Sequence, residues 1–354
     1  MKGADFINLT TLWHAVDDRL SQLDFSALAD GFLRYRFALY TEREACLDGG
    51  LMPRPDGFLG NTAVPCEGEF IAIWSMDADP IEDVDRLAAS LVHEMFHCHQ
   101  FACGEMRFPS DLALLADPGD ARSFEAKHAE NLLLADACEQ KSLSCLKRFA
   151  KIRGERRKVH PDMVEQELKV ETIEGMAEYV SMHALARLNP AAFERQLAGY
   201  LQRLRAEDAQ LFDLRRIGYF SGAVYFLTLE RLGLPIVNDL RSPLTAYDQN
   251  PIDAANLTAD VPSFDFVARE FAALTRKRTD EIAQYTANAA YTACNAVICG
   301  YDPMNMFRVG DQLFCRHFVF LNENGQTKPI HTAVVLKLAP GSNNRIVGYF
   351  LKNA

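Results

Sequence analysis

Between residues 80 and 286 the apolar residues recur at intervals of three and four, the period of helices with one buried face. Residues 9–30 show the same period and predict an amphipathic helix ahead of this region. Residues 35–76 break the pattern: "RFALYTEREACL" and "EFIAIWSM" read as strands, separated by the turn-rich "GGLMPRPDG". The stretch "DPIEDVDRLAASLVHEMFHCHQF" then predicts a helix to about Cys103. Asp79 is placed to cap it, Pro80 to open it and Glu82 to complete a capping box. Leu87, Leu91, Val92, Met95 and Phe96 give this helix a wide apolar face, so burial is expected. Residues 122–159 read as helical, and His160-Pro161 opens another long helix that stops before Asn189-Pro190. "YFSGAVYFLTLERLG" ends at Gly233, and a last helix spans 264–286. After about residue 287 the period becomes alternation: "MFRVGDQLFCRHFVFL", "KPIHTAVVLKL" and "RIVGYFLK" are joined by "NENG" and "APGSNN". The expectation is a mainly helical α+β chain. Residues 1–80 supply a helix and a short sheet, 81–286 a helical region, and 287–354 a small antiparallel β appendage.

Composition narrows the classes. A length of 354 residues allows two or three domains, or one large core with an appendage. A net charge of −11 argues against nucleic acid as a partner. The basic run Lys147–Lys158, "KRFAKIRGERRK", reads as a solvated helix face. The opening "MKGADFINLTTLWHAVDD" lacks the apolar core of an export signal, and no run approaches the roughly 18 apolar residues of a membrane helix. Nine cysteines without a CxxC pair read as reduced thiols of a cytoplasmic protein. Cys294, Cys299 and Cys315 lie near one another but fit no common zinc module.

The chemistry concentrates in "LVHEMFHCHQ", residues 91–100, which contains H-E-x-x-H. Helix positions four apart share a face, so His93 and His97 can aim their imidazoles at one ion. Zinc accepts such nitrogens at about 2.0–2.1 Å, and Glu94 is then placed to take a proton from a water. The motif supplies two ligands and a base but lacks a third ligand. A metzincin would carry glycine at 100 and histidine at 103, where this chain has Gln100 and Cys103. Without the glycine turn, Cys103 stays on the helix, away from the ion. The remaining source is an acid on a second helix. "ETIEGMAEYVS", 171–181, offers Glu171, Glu174 and Glu178 at helical spacing, on one face. Carboxylates on a largely apolar helix are costly to bury without a cation, and the spacing does not choose among the three. Gln100 returns to the His93 face, where it can hydrogen-bond a ligand, line the cleft or simply pack; His99 points elsewhere.

"IEGMAEYVS" resembles the W-x-x-E-G-x-A-x-Y stretch of the gluzincin metallopeptidases, the superfamily of thermolysin and the zinc aminopeptidases. The resemblance implies a zincin-like catalytic domain with one Zn2+ per chain, Glu174 as the third ligand and Glu178 as the acid that orients the first histidine. It leaves Glu171 to a structural role, and Gly175 would let two helices approach closely. "YFSGAVYFLTLERLG" is similar to the Y-x-x-G helix of the aminopeptidase branch, which implies that Tyr219 holds the oxyanion, with Tyr225 the weaker alternative. The chain also departs from the family. In the aminopeptidases the ligand glutamate follows soon after the motif, whereas His97 and Glu174 lie 77 positions apart, so residues 104–170 have to loop out and return as helices. No G-x-M-E-N-like strand precedes the motif, and Glu67 and Glu69 are weak substitutes for it. The resemblance spans roughly residues 70–235 through three short motifs. It implies hydrolysis of peptide bonds. The alternatives are a non-peptide amide, ester or epoxide as substrate, or a binding protein that keeps the metal site without turnover.

Overall fold

The computed structural model describes residues 8–117 and 119–352. Helix α1 (Leu9–Leu20) is capped by Asn8, whose side chain accepts from the Thr11 amide. It stops ten residues earlier than the apolar period predicts. Leu23, Phe25, Leu28 and Phe32 are buried from a short 3₁₀ turn and irregular chain, which imitates a helical stripe without helical backbone.

A five-stranded sheet follows: β1 (Phe37–Tyr40), β2 (Glu44–Leu47), β3 (Gly50–Pro53), β4 (Thr62–Cys66) and β5 (Glu69–Ser75), in the order β3-β2-β1-β5-β4. The run "RFALYTEREACL" is a hairpin of two strands rather than one. Thr41 turns the chain, its amide donating to the Glu44 carbonyl at 2.8 Å. β1 and β5 pair in parallel, and β4 is an edge strand with β5 as its neighbour.

Helix α2 (Val84–Ala102) crosses beneath this sheet, its apolar face fully buried as expected. Its cap is Asp83, which accepts from the amides of Asp85 and Arg86 at 3.0 and 3.2 Å. The expected box of Asp79, Pro80 and Glu82 does not form. That segment is still crossing from β5, and the Asp79 carbonyl accepts from the Trp74 indole at 2.9 Å.

The helical region continues as α3 (Asp111–Leu114), α4 (Ala121–Gln140), α5 (Leu143–Val159), α6 (Pro161–Val170), α7 (Met176–Leu188), α8 (Pro190–Arg205), α9 (Leu214–Arg231), α10 (Ala246–Gln249) and α11 (Asp265–Thr286). The helical stretch 122–159 is two helices. Lys141 takes a left-handed φ of 51° at the end of α4, and Ser142 caps α5. From Pro161 to Leu188 the chain is helical throughout, but Glu171–Gly175 forms a π turn between α6 and α7.

The basic run on α5 is a solvated face only in part: Arg148 and Lys158 are exposed, but two of its arginines turn inward. Arg153 and Arg156 expose only 1% and 3% of their surface. Arg153 forks onto Glu171 at 2.6 and 2.8 Å, Arg156 meets Glu130 at 2.6 Å and Glu167 at 2.7 Å, and Lys127 donates to Glu167. Three cations thus meet three carboxylates inside the helical core. Burial pushes the Glu167 carboxyl up, but Arg156, Lys127 and Arg153 outweigh it and hold the group far below the usual carboxylate range.

Beyond α11 lies a seven-stranded antiparallel sheet: β6 (Ala290–Tyr301), β7 (Met306–Val309), β8 (Gln312–Cys315), β9 (Val319–Glu323), β10 (Gln326–Ile330), β11 (Val334–Leu338) and β12 (Arg345–Leu351), in the order β10-β9-β6-β12-β11-β8-β7. β6 is absent from the sequence reading. "AYTACNAVICGY" mixes small and polar residues without clean alternation, and its pairings with β12 and β9 both slip register. The fold is therefore mainly helical α+β with a C-terminal antiparallel sheet. No helix among the described residues is long and apolar enough to cross a membrane.

Candidate metal centre

α2 delivers His93 and His97 one turn apart, and the π turn delivers Glu174 opposite them. The Nε2 atoms of the two histidines lie 3.1 Å apart. Glu174 Oε2 lies 3.1 Å from His97 Nε2 and 3.5 Å from His93 Nε2. Donors bound tetrahedrally at about 2.0–2.1 Å stand roughly 3.3–3.4 Å from one another, so this triangle has the size of one face of a zinc site. His93, His97 and Glu174 form a buried group that can hold a metal ion.

The outer hydrogen bonds show which atoms face inward. His93 Nδ1 lies 2.9 Å from Glu178 Oε2, and a carboxylate can only accept, so the ring proton sits on Nδ1. His97 Nδ1 lies 2.7 Å from Gln100 Oε1; the Gln100 amide is oriented because its Nε2 donates to the Ile173 carbonyl at 3.1 Å. When both imidazoles are neutral, these bonds place the ring protons on Nδ1, and both Nε2 atoms turn lone pairs toward each other and toward Glu174. Three lone-pair donors at this separation repel unless a cation lies among them. The electrostatics agree. Burial pushes His93 down, but Glu174 and Glu178 overcome it and hold the imidazole well above the ordinary histidine range, so with no ion present a proton on Nε2 supplies the positive charge that a bound cation would replace. Glu178 is anchored in turn: it accepts from Tyr200 and, at 3.2 Å, from Gln196, both on α8.

Glu94 is buried and faces the cleft above the histidines. Burial pushes its carboxyl up, opposed by His93 and His97 and reinforced by Glu174 and Glu178. Tyr219, on α9, stacks on His93 with ring centroids 5.8 Å apart and planes within 2°. Burial and the charge of Glu174 hold its hydroxyl well above the usual phenol range, so it keeps its proton.

Glycines bring α9 this close. A Cβ on Gly175 would lie 2.5 Å from Gly222 Cα, and a Cβ on Gly222 would lie 2.7 Å from Gly175 Cα, so neither position admits a side chain without displacing a helix. Tyr225, by contrast, is a core residue whose hydroxyl donates to the Asn250 carbonyl at 2.7 Å.

The cleft has a volume of about 550 Å³. Leu59–Thr62 at the start of β4, Phe101 and Phe108 form one side, and Tyr301–Met304 with Phe318 of the C-terminal sheet form another. The segment 104–170 contributes Phe108, Pro109 and Asp111 to this lining.

Two sequence expectations change here. Glu171 does not share a face with Glu174, because the π turn rotates it toward Arg153 and Ser221, whose hydroxyl donates to it at 2.5 Å. Glu67 and Glu69 lie outside the cleft and pair with Arg36 at 3.0 and 2.8 Å. His99 points away from the pair, as expected, and is buried against Phe32 and Phe96. The sequence reading also missed Arg215, which donates to Glu174 Oε1 at 2.7 Å, and its neighbour Asp111. A lone arginine one turn before Tyr219 carries no pattern that separates it from a surface residue.

Glu171→Gln is expected to keep full metal content and to lose roughly 3–5 kcal/mol of stability, the usual cost of breaking a buried ion pair. Denaturant unfolding beside elemental analysis checks it. A variant that loses metal instead would make Glu171 part of the centre.

Compared with protein-family models, curated proteins and solved structures, the chain matches none of them. The reading of the site rests on its own geometry.

Proposed function

We propose that this chain is a zinc-dependent hydrolase of the gluzincin type that cleaves peptide bonds. The observation that carries this reading is the convergence of three inward-facing donors, His93, His97 and Glu174, beside a buried carboxyl and a half-buried phenol that both line the cleft. Zinc held there by His93, His97 and Glu174 would supply Lewis acidity and acidify a water toward a pKa of about 7. Glu94 would accept a proton from the attacking water and return it to the departing nitrogen. Tyr219 donates its hydroxyl proton in a hydrogen bond to the oxygen that gains charge. Glu178 and Gln100 hold the two imidazoles in the tautomer that leaves Nε2 free.

Two features favour a peptide over other acyl substrates. β4 is an edge strand whose first residue, Thr62, lies at the lip of the cleft, and an extended chain can add to such an edge by main-chain hydrogen bonds. Phe70, Phe101 and Phe108 stack in sequence beside it, with centroids 5.0 and 5.1 Å apart, and give an apolar wall for a side chain. All nine cysteines are free, and we place the protein in the cytoplasm on that ground.

One zinc per chain is expected in the purified protein, and less than one in His93→Ala and Glu174→Ala. Elemental analysis of the three proteins decides it, together with cleavage of a peptide library with and without chelator. A metal-free wild type undoes the reading, and undiminished zinc in Glu174→Ala removes Glu174 from the ligands.

A further inference from the structure

We propose that Arg215 is a positioning residue of the metal centre that restricts Glu174 to donation through one oxygen; this rests on the metal reading above. The two oxygens of Glu174 have different neighbours. Oε2 faces the Nε2 atoms of His97 and His93 at 3.1 and 3.5 Å. Oε1 accepts from Arg215 Nη2 at 2.7 Å. A carboxylate is free to chelate through both oxygens, and here the second is held on the far side by a charge-assisted bond of ordinary length.

The guanidinium is itself fixed. Arg215 Nη1 lies 3.3 Å from Asp111 Oδ1 in a close ion pair that lacks hydrogen-bond geometry. The Tyr219 ring lies 6.0 Å from the guanidinium carbon. The Arg215 and Asp111 side chains expose only 15% and 14% of their surface, so water competes poorly for Oε1. α9 therefore carries two groups of the centre one turn apart: Tyr219, which faces the substrate, and Arg215, which faces the ligand. The chemical consequence follows from what a catalytic site needs. A second carboxylate oxygen on the ion would occupy the position that such a site keeps open, and a carboxylate that shares its charge with arginine donates less and leaves the ion more electrophilic.

The test uses the full chain, stripped of metal and reloaded with zinc or with cobalt(II), as wild type, Arg215→Ala and Arg215→Lys. Zinc affinity is read by competition with a chelator, coordination by the visible absorption of cobalt, and folding by the melting temperature of the metal-free protein. Zinc binding is expected to tighten in both variants, because the freed oxygen adds a bond to the ion and the carboxylate no longer shares its charge with the fork, and to tighten most in Arg215→Ala, which also removes a cation from beside the site. The cobalt bands should lose intensity as the second oxygen joins the coordination sphere, since few-coordinate cobalt absorbs more strongly. Lysine keeps the charge but cannot span Glu174 and Asp111 with a planar fork, so Arg215→Lys decides the matter should the alanine variant fail to fold. Unchanged affinity with an unchanged cobalt spectrum overturns the proposal, and so does a lower melting temperature alone, which marks Arg215 as structural. A wild type that binds neither ion removes the metal reading itself, a result distinct from both.

Discussion

Glu94→Gln is expected to bind zinc as the wild type does and to hydrolyse peptides about 10²–10⁴-fold more slowly. The amide matches the carboxyl in size and is not one of the three converging donors, so the centre keeps its ligands. What it loses is the capacity to accept a proton. The effect should fall on kcat, because the group acts only once the water begins to add. Burial already pushes the Glu94 carboxyl up, against the pull of His93 and His97, which brings its basicity closer to what a proton shuttle near neutral pH requires. Turnover at the wild-type rate in a zinc-loaded Glu94→Gln protein would take the base role away from Glu94.

The second large effect is expected at Tyr219. If its hydroxyl meets the developing oxyanion, it binds the transition state more strongly than the substrate. Tyr219→Phe should then lower kcat by roughly 10²–10³ and leave KM and zinc content nearly unchanged. Tyr225→Phe is the control on the same helix. Its hydroxyl donates to the Asn250 carbonyl in the core, so its loss should lower the melting temperature and spare kcat. The reverse result, with only Tyr225→Phe losing turnover, would show that the wrong tyrosine has been assigned to the oxyanion.

The parts of this molecule that were legible in its sequence are those governed by local spacing. H-E-x-x-H places two imidazoles on one face because a helix turns at a known rate. The alternation after residue 287 marks a sheet, since strands expose alternate residues to opposite sides. Spacing alone left Glu171, Glu174 and Glu178 equivalent, and only the resemblance of "IEGMAEYVS" to the gluzincin stretch singled out Glu174 and its neighbour Gly175, where α9 comes closest. What was not legible depends on contacts far apart in the chain. Arg153 and Arg156 looked solvated because their partners sit on other helices, Glu130 on α4 and Glu167 on α6. Arg215 lies 41 positions from Glu174 and carries no motif. The π turn is invisible to any count that assumes a uniform helix, which is why Glu171 and Glu174 were expected on one face. β6 escaped because small and polar residues interrupt its alternation and its register slips twice.

The cleft also has an order of assembly. Its floor is encoded first, at His93–His97, its third donor much later, at Glu174, and its far wall later still, at Tyr301–Met304 and Phe318. A chain emerging from the ribosome N-terminus first displays the histidines long before it possesses the wall that encloses them. Throughout that interval there is no closed cleft in which a nascent neighbour could be held. On the function proposed above, turnover would begin only once that last-made wall is in place.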